Sequence, residues 1–190
     1  MRRIFTLLAP LAVAACMAAP APSLYLLEAP KGAAAPPAES GGASIGLREI
    51  ALPLYARRLQ IAAQDESGAI TAADERRWAE EPPRAATRLL ARRLAAIRGA
   101  PAYADPWPQG AAPDLIATVD VDRFLGGLGG DVDLVGQLTI SRADRRGGAA
   151  TTPFAITAPV EGDDYAALTA AYAAALAELA QLIAGAADAY

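Results

Sequence analysis

The sequence predicts an α+β domain: two strand-strand-helix-like halves that form an antiparallel or mixed sheet, with two helices packed on one of its faces. Three observations carry this. Apolar residues recur at helical spacing in only two long stretches, 82–98 and about 163–187. Residues 115–122 alternate, Leu115, Ala117, Val119 and Val121 against Ile116, Thr118, Asp120 and Asp122, as a half-buried strand does. The strand-like runs come in groups, and each group is followed by one of the helical stretches.

Taken in order, residues 23–27 are dense enough in apolar side chains for a first strand. Residues 29–43 mix alanine with proline and glycine and read as a flexible loop. Residues 44–52 form a strand that Pro53 closes. Runs 59–63 and 69–72 flank Asp65-Glu66-Ser67-Gly68, whose polar residues and glycine suit a hairpin loop. Arg76 to Glu80 then lead into the first helix, 82–98. Proline fits its first turn, where a missing N–H costs nothing, and Gly99 with Pro101 stops it. Ala86, Leu90, Leu94 and Ile97 share one face of that helix, and Arg84, Arg88 and Arg92 share another.

The second half repeats the plan. Strands are expected at 115–124, 132–140 and 151–158, with a polar turn at 142–148. Asp163 is the expected cap of a helix reaching about 187, whose apolar face runs through Leu168, Tyr172, Leu176, Leu179 and Ile183. From 166 to 187 the only charge is Glu178. Most of that run is alanine, a weak driver of membrane insertion, and Gln181 adds polarity, so a core helix is expected.

The N-terminus carries a different message. Met1-Arg2-Arg3 precedes an uncharged apolar run that ends in Val13-Ala14-Ala15-Cys16. A basic start, a short apolar segment and small residues before a cut site describe a secretory signal peptide. Cys16 offers the one thiol able to take a thioether-linked lipid. The expected organisation is therefore a signal peptide at 1–15, a lipidated tether at 16–22 and a single domain at 23–190. An uncleaved anchor is the competing reading, since 4–27 carries no charge, but Pro10, Pro20 and Pro22 interrupt any continuous helix. A twin-arginine signal lacks its polar surroundings here.

Composition narrows the function classes. Cleavage before Cys16 leaves 175 residues, one domain's worth, with a formal charge of −6. An acidic balance gives no footing for nucleic acid. The absence of histidine removes Ser-His-Asp sites, histidine metal ligands and the commonest general base at neutral pH. The single cysteine allows no internal disulfide and no cysteine-built metal site. No cofactor is expected. A hydrolase would have to use carboxylates, and Asp120 with Asp122, or Asp131 with Asp133, are the pairs that share a strand face. A solvated sheet face explains those pairs as well. Gly126-Gly127-Leu128-Gly129-Gly130 lacks the ending and the helix of a phosphate-binding loop and reads as a connection between strands. The Arg84/Arg88/Arg92 stripe suits lipid headgroups or an acidic partner if it is not simply a solvated helix face. Trp78 and Trp107 fit packing positions at element ends.

Several segments, in order, carry a family resemblance. Leu52-Pro53-Leu54-Tyr55-Ala56-Arg57, Arg77-Trp78-Ala79-Glu80, Leu90-Ala91-Arg92-Arg93-Leu94, Pro106-Trp107 and the closing run from Tyr165 and Leu168 to Ile183-Ala184 are similar to segments of the PqiC/YmbA-type ABC-transport auxiliary lipoproteins. The chain departs from that pattern after the tyrosine motif, with Leu59, Ala62, Ala63 and Gln64 in place of proline, bulkier residues and arginine. The resemblance implies a periplasm-facing, lipid-anchored outer-membrane lipoprotein without catalytic residues. It would serve as the accessory subunit of an intermembrane transport system built around an MCE-domain protein, moving lipids or hydrophobic compounds and supporting envelope integrity. Expected partners are the outer membrane and the MCE assembly, with Arg84, Arg88, Arg92, Trp78 and Tyr55 as contact candidates. A homo-oligomer is compatible with this role, although no sequence feature calls for one. The alternative is an outer-membrane lipoprotein that regulates a cell-wall or envelope enzyme.

Overall fold

The structure is a computed structural model that describes residues 21–28, 42–144 and 147–190. In chain order the elements are β1 (Ser23–Tyr25), β2 (Ile45–Leu47), a 3-10 turn (Leu54–Arg57), β3 (Gln60–Gln64), β4 (Ile70–Trp78), α1 (Pro82–Arg98), β5 (Ala102–Ala104), β6 (Leu115–Gly126), β7 (Asp131–Arg142), β8 (Ala150–Pro159) and α2 (Tyr165–Ala187). The α+β class and the mixed pairing hold. The strands divide between two sheets, three-stranded in the order β1-β4-β3 and five-stranded in the order β5-β2-β6-β7-β8. β1 joins β4, and β2 joins both β5 and β6, in parallel; the remaining pairs are antiparallel.

The alternation read in 115–122 puts Leu115, Ala117, Val119 and Val121 on the inner face of the large sheet. Val132, Leu134, Leu138 and Ile140 of β7 and Phe154, Ile156 and Ala158 of β8 extend that face. α2 lies across β6, β7 and β8, and α1 packs beside it near β5. Leu168, Leu176, Leu179 and Ile183 of α2 and Leu89, Leu90 and Leu94 of α1 are fully buried in the shared core. Each such side chain contributes about 1.5–3 kcal/mol relative to exposure. α2 is long and apolar enough to cross a membrane, but 56% of its most apolar window is buried inside the domain, as a core helix requires. Its alanines let the helix lie close on the sheet.

Several elements differ from the sequence reading. The strand expected at 44–52 is only three residues long, because the chain leaves the ladder after Leu47. Arg48 N still donates to Ala117 O at 3.0 Å, and the chain bridges β6 once more at Ala51, opposite Asp120. The buried N–H of Ile50 donates to Thr87 Oγ1 of α1 at 3.0 Å, a helix side chain replacing a strand partner. β4 continues through Arg76 and Arg77 to Trp78, where a helix lead-in was expected, since parallel β1 holds it in register. β5 was not anticipated: three residues beside β2 leave no periodicity to read. Asp164 and not Asp163 caps α2, its carboxylate accepting from Ala167 N–H at 2.7 Å.

The outer face of the large sheet is partly covered near β2. Trp107 lies so close to Gly46 that a Cβ there would stand 2.5 Å from its ring. Its Nε1 donates to Leu47 O at 3.3 Å, and the Arg48 guanidinium sits 4.7 Å from its ring centre. Ser44 and Asp114 clip the starts of β2 and β6 together. Ser44 N and Oγ both donate to Asp114 Oδ2, which holds that carboxyl below its ordinary pKa.

Candidate partner-binding surface

α1 presents the most one-sided charge in the domain. It carries Arg84, Arg88, Arg92, Arg93 and Arg98 and no carboxylate, in a chain of formal charge −4. Residues four apart lie about 40° from one another round a helix, so Arg84, Arg88 and Arg92 form a slanting row. Arg84 and Arg92 are exposed. Arg88 between them is half-buried and paired with Glu80, which precedes the helix. The row therefore presents two open guanidinium groups with a neutralised one at its middle.

Further along, α1 and α2 border a shallow groove lined by Arg93, Ala96, Ile97, Ala177 and Gln181, about 190 Å³ in volume. Arg93 Nε is buried there without a hydrogen-bond partner. Arg98 closes the end of the helix pair, its Nε donating to Asp188 Oδ1 at 3.2 Å and its Nη1 to Ala43 O at 2.6 Å. That arginine ties two helices and a loop, and is taken up by the fold.

Trp78 and Tyr55 are placed differently from the arginine row. Trp78 is 6% exposed and meets the Tyr172 ring edge-on at 5.7 Å, so its ring is part of the core between the sheets. Tyr55 is half-buried, and its hydroxyl accepts the Phe124 N–H at 3.1 Å. Neither ring is an exposed contact face. Both belong to the joint where the small sheet meets β6. Sequence spacing had no means of separating these roles, because an aromatic at an element end is equally suited to either.

The same joint uses polar groups to which the sequence reading gave other roles or none. A bulge between Val121 and Arg123 re-aims β6. Arg123 then donates from Nη2 to Gln64 Oε1 at 2.8 Å and from Nε to Asp133 Oδ2 at 3.1 Å. Thr157 donates to the other Asp133 oxygen at 3.2 Å. Deeper in, Tyr172 of α2 donates to Ala62 O at 3.2 Å and accepts from Gly126 N–H at 3.1 Å. Burial pushes that hydroxyl well above the ordinary tyrosine pKa of 10.0, so it stays a neutral donor.

The carboxylate pairs do not form an acid–base site. Asp120 and Asp122 are exposed on β6, and Asp133 is engaged by Arg123 and Thr157 while Asp131 is exposed. Among the described residues no group of three or more Cys, Asp or Glu side chains is placed to hold a metal. The glycine run is the β6–β7 connection. A Cβ on Gly127 would stand 2.9 Å from Gln64 O, so glycine there is a matter of strand clearance. Cys16 and residues 1–20, like residues 29–41 of the loop, lie outside the described residues.

Comparison with known proteins places this architecture. The sequence profile of a family described as "ABC-type transport auxiliary lipoprotein component" matches residues 25–184. A crystal structure of an uncharacterized protein superimposes with a TM-score of 0.69 at 19% identity, covering 87% of this chain and 97% of that one. Protein XCC0632 from Xanthomonas campestris, assigned to DUF330, superimposes with a TM-score of 0.59 at 15% identity, covering 86% and 93%. These two likenesses concern the fold. No curated protein matches the chain.

Proposed function

Because this chain belongs to the ABC-type transport auxiliary lipoprotein component family, we propose that it is a non-catalytic docking subunit of an intermembrane transport system. Membership makes it an auxiliary component of transport with a membrane-anchored place in the envelope. In the proposed arrangement residues 1–15 are removed as a signal peptide and Cys16 carries the lipid. Residues 17–22 join the lipidated residue to the domain, which faces the periplasm from the outer membrane. The domain meets the periplasmic end of an MCE-type assembly that carries lipids or other hydrophobic compounds.

The observation that carries the docking role is the α1 row. Arg84 and Arg92 stand open on a helix without a carboxylate, in an otherwise acidic domain. Guanidinium forks bind carboxylate and phosphate groups bidentately, so this surface fits an acidic protein face. The core is consumed by packing, and the carboxylates are dispersed or engaged, which agrees with docking as the task.

Affinity capture from crosslinked cells tests the proposal. Recovery of an MCE-domain protein, its permease or its ATPase is the expected result. Recovery of a cell-wall enzyme in their place would favour the regulator alternative, and recovery of neither would overturn the transport role.

A further inference from the structure

The lipid need not be the only part of this protein that touches the membrane. Along β1 and the two residues that follow it the side chains alternate: Tyr25 is half-buried and Leu27 is buried, while Leu24 is 63% and Leu26 51% exposed. Leu24, on the outer face of the three-stranded sheet, and Leu26, just past the end of β1, therefore point away from the core. Leu24 lies opposite Arg77 of β4, which lies opposite Gln60 of β3. Beside Leu26 is the exposed Ala79, whose N–H donates to Tyr25 O at 2.7 Å, and at the head of β3 stands the exposed, extended Arg58. Arg77 is paired with Asp74 at 3.3 Å, so the two leucines make a small apolar patch with one open guanidinium, that of Arg58, at its rim.

We infer that this face of the small sheet, centred on Leu24 and Leu26, rests on the surface of the bilayer that holds the lipid anchor. The inference rests on Cys16 being the lipid attachment site. Leu24 is eight residues from Cys16, so even a fully extended chain keeps it within about 29 Å of the lipidated sulfur. A short tether of this kind sets an effective concentration on the order of millimolar, at which a weak contact is populated. The intervening residues 17–23 carry no charge that would resist approach to the headgroups. Leucines entering the interface while arginines stay at headgroup level is the arrangement that interfacial segments adopt. Anionic headgroups would draw in Arg58. The contact would fix which way the domain faces, leaving α1 to be presented from a set orientation.

The single cysteine makes the test direct. Once Cys16 is thioether-linked, a cysteine introduced as Leu24→Cys or Leu26→Cys is the sole free thiol. Each variant, as full-length lipidated protein, is labelled with an environment-sensitive nitrobenzoxadiazole probe. It is then placed in vesicles of phosphatidylethanolamine and phosphatidylglycerol, with and without nitroxide-bearing acyl chains. Ala155→Cys, exposed on β8 of the other sheet, is the reference position, and circular dichroism checks that each variant is folded. At 24 and 26 emission should shift to the blue and lose its larger part to the nitroxides, while the probe at 155 stays solvent-like. Solvent-like probes at 24 and 26 would overturn the inference, including the case in which a protein partner normally covers this face. Equal quenching at all three positions would overturn it too, because no face would then be selected. Labelling of the unsubstituted protein is a separate control: reaction at Cys16 would refute the lipid attachment itself, whatever the other probes report.

Discussion

Tyr172 reaches from α2 to both sheets at once. One hydroxyl oxygen gives its proton to Ala62 O of β3 and takes one from Gly126 N of β6, while its ring meets Trp78 and Phe124 edge-on. Removing only the oxygen, by Tyr172→Phe, keeps the ring packing and strands a buried N–H. Leaving such a group unsatisfied costs about 1–3 kcal/mol. Chemical denaturation should show a loss of that size, and an unchanged midpoint would mean that water replaces the hydroxyl. The sequence placed Tyr172 on the apolar face of the last helix, which is correct. Its bridging role was illegible because its two partners are backbone groups 110 and 46 residues away.

At the scale of elements, the two helices were the most legible parts of the chain. α1 spans Pro82–Arg98 as read, with proline in its first turn and Gly99 at its C-terminal end. α2 differs by one residue at its start: Asp163 and Asp164 are equally good caps by type, and only the path of the chain chooses Asp164. Asp164→Ala should therefore cost about 0.5–2 kcal/mol of stability and Asp163→Ala almost nothing. Thermal melts of the two variants check this, and equal losses would show that either residue can serve. The short strands were harder. β2, β5 and β1 have three residues each, fewer than a period-two pattern needs, and each owes its conformation to a parallel neighbour distant in sequence.

The whole molecule separates its surfaces by task. α1 offers open arginines on the outer side of the helical layer, whereas Trp78 and Tyr55 are drawn into the joint between the sheets. Reversing the charge by Arg84→Glu with Arg92→Glu should leave stability within about 0.5 kcal/mol, as for most surface changes. If the proposed docking holds, the same variant should be captured with its transport partners far less than the unsubstituted protein, most clearly at low salt. Undiminished capture would remove α1 from the interface. Retaining Arg88 keeps its pairing with Glu80 and separates docking from folding.

By itself the sequence determined the α+β class, both helices, the three long strands of the second half, and a family resemblance that the profile over residues 25–184 bears out. Those features are local: periodicity, breakers and short motifs are written in consecutive residues. It also marked Cys16, by its position behind a basic and apolar start, as the expected point of attachment. Only the tertiary structure decided that the strands form two sheets, that Trp78 faces inward while Leu24 and Leu26 face out, and that Arg123, Gln64 and Asp133 lock the joint. Those outcomes depend on which distant backbone lies alongside. Parallel pairing of three-residue strands and the burial of a single aromatic are settled by neighbours far away in the chain, and no local pattern encodes them.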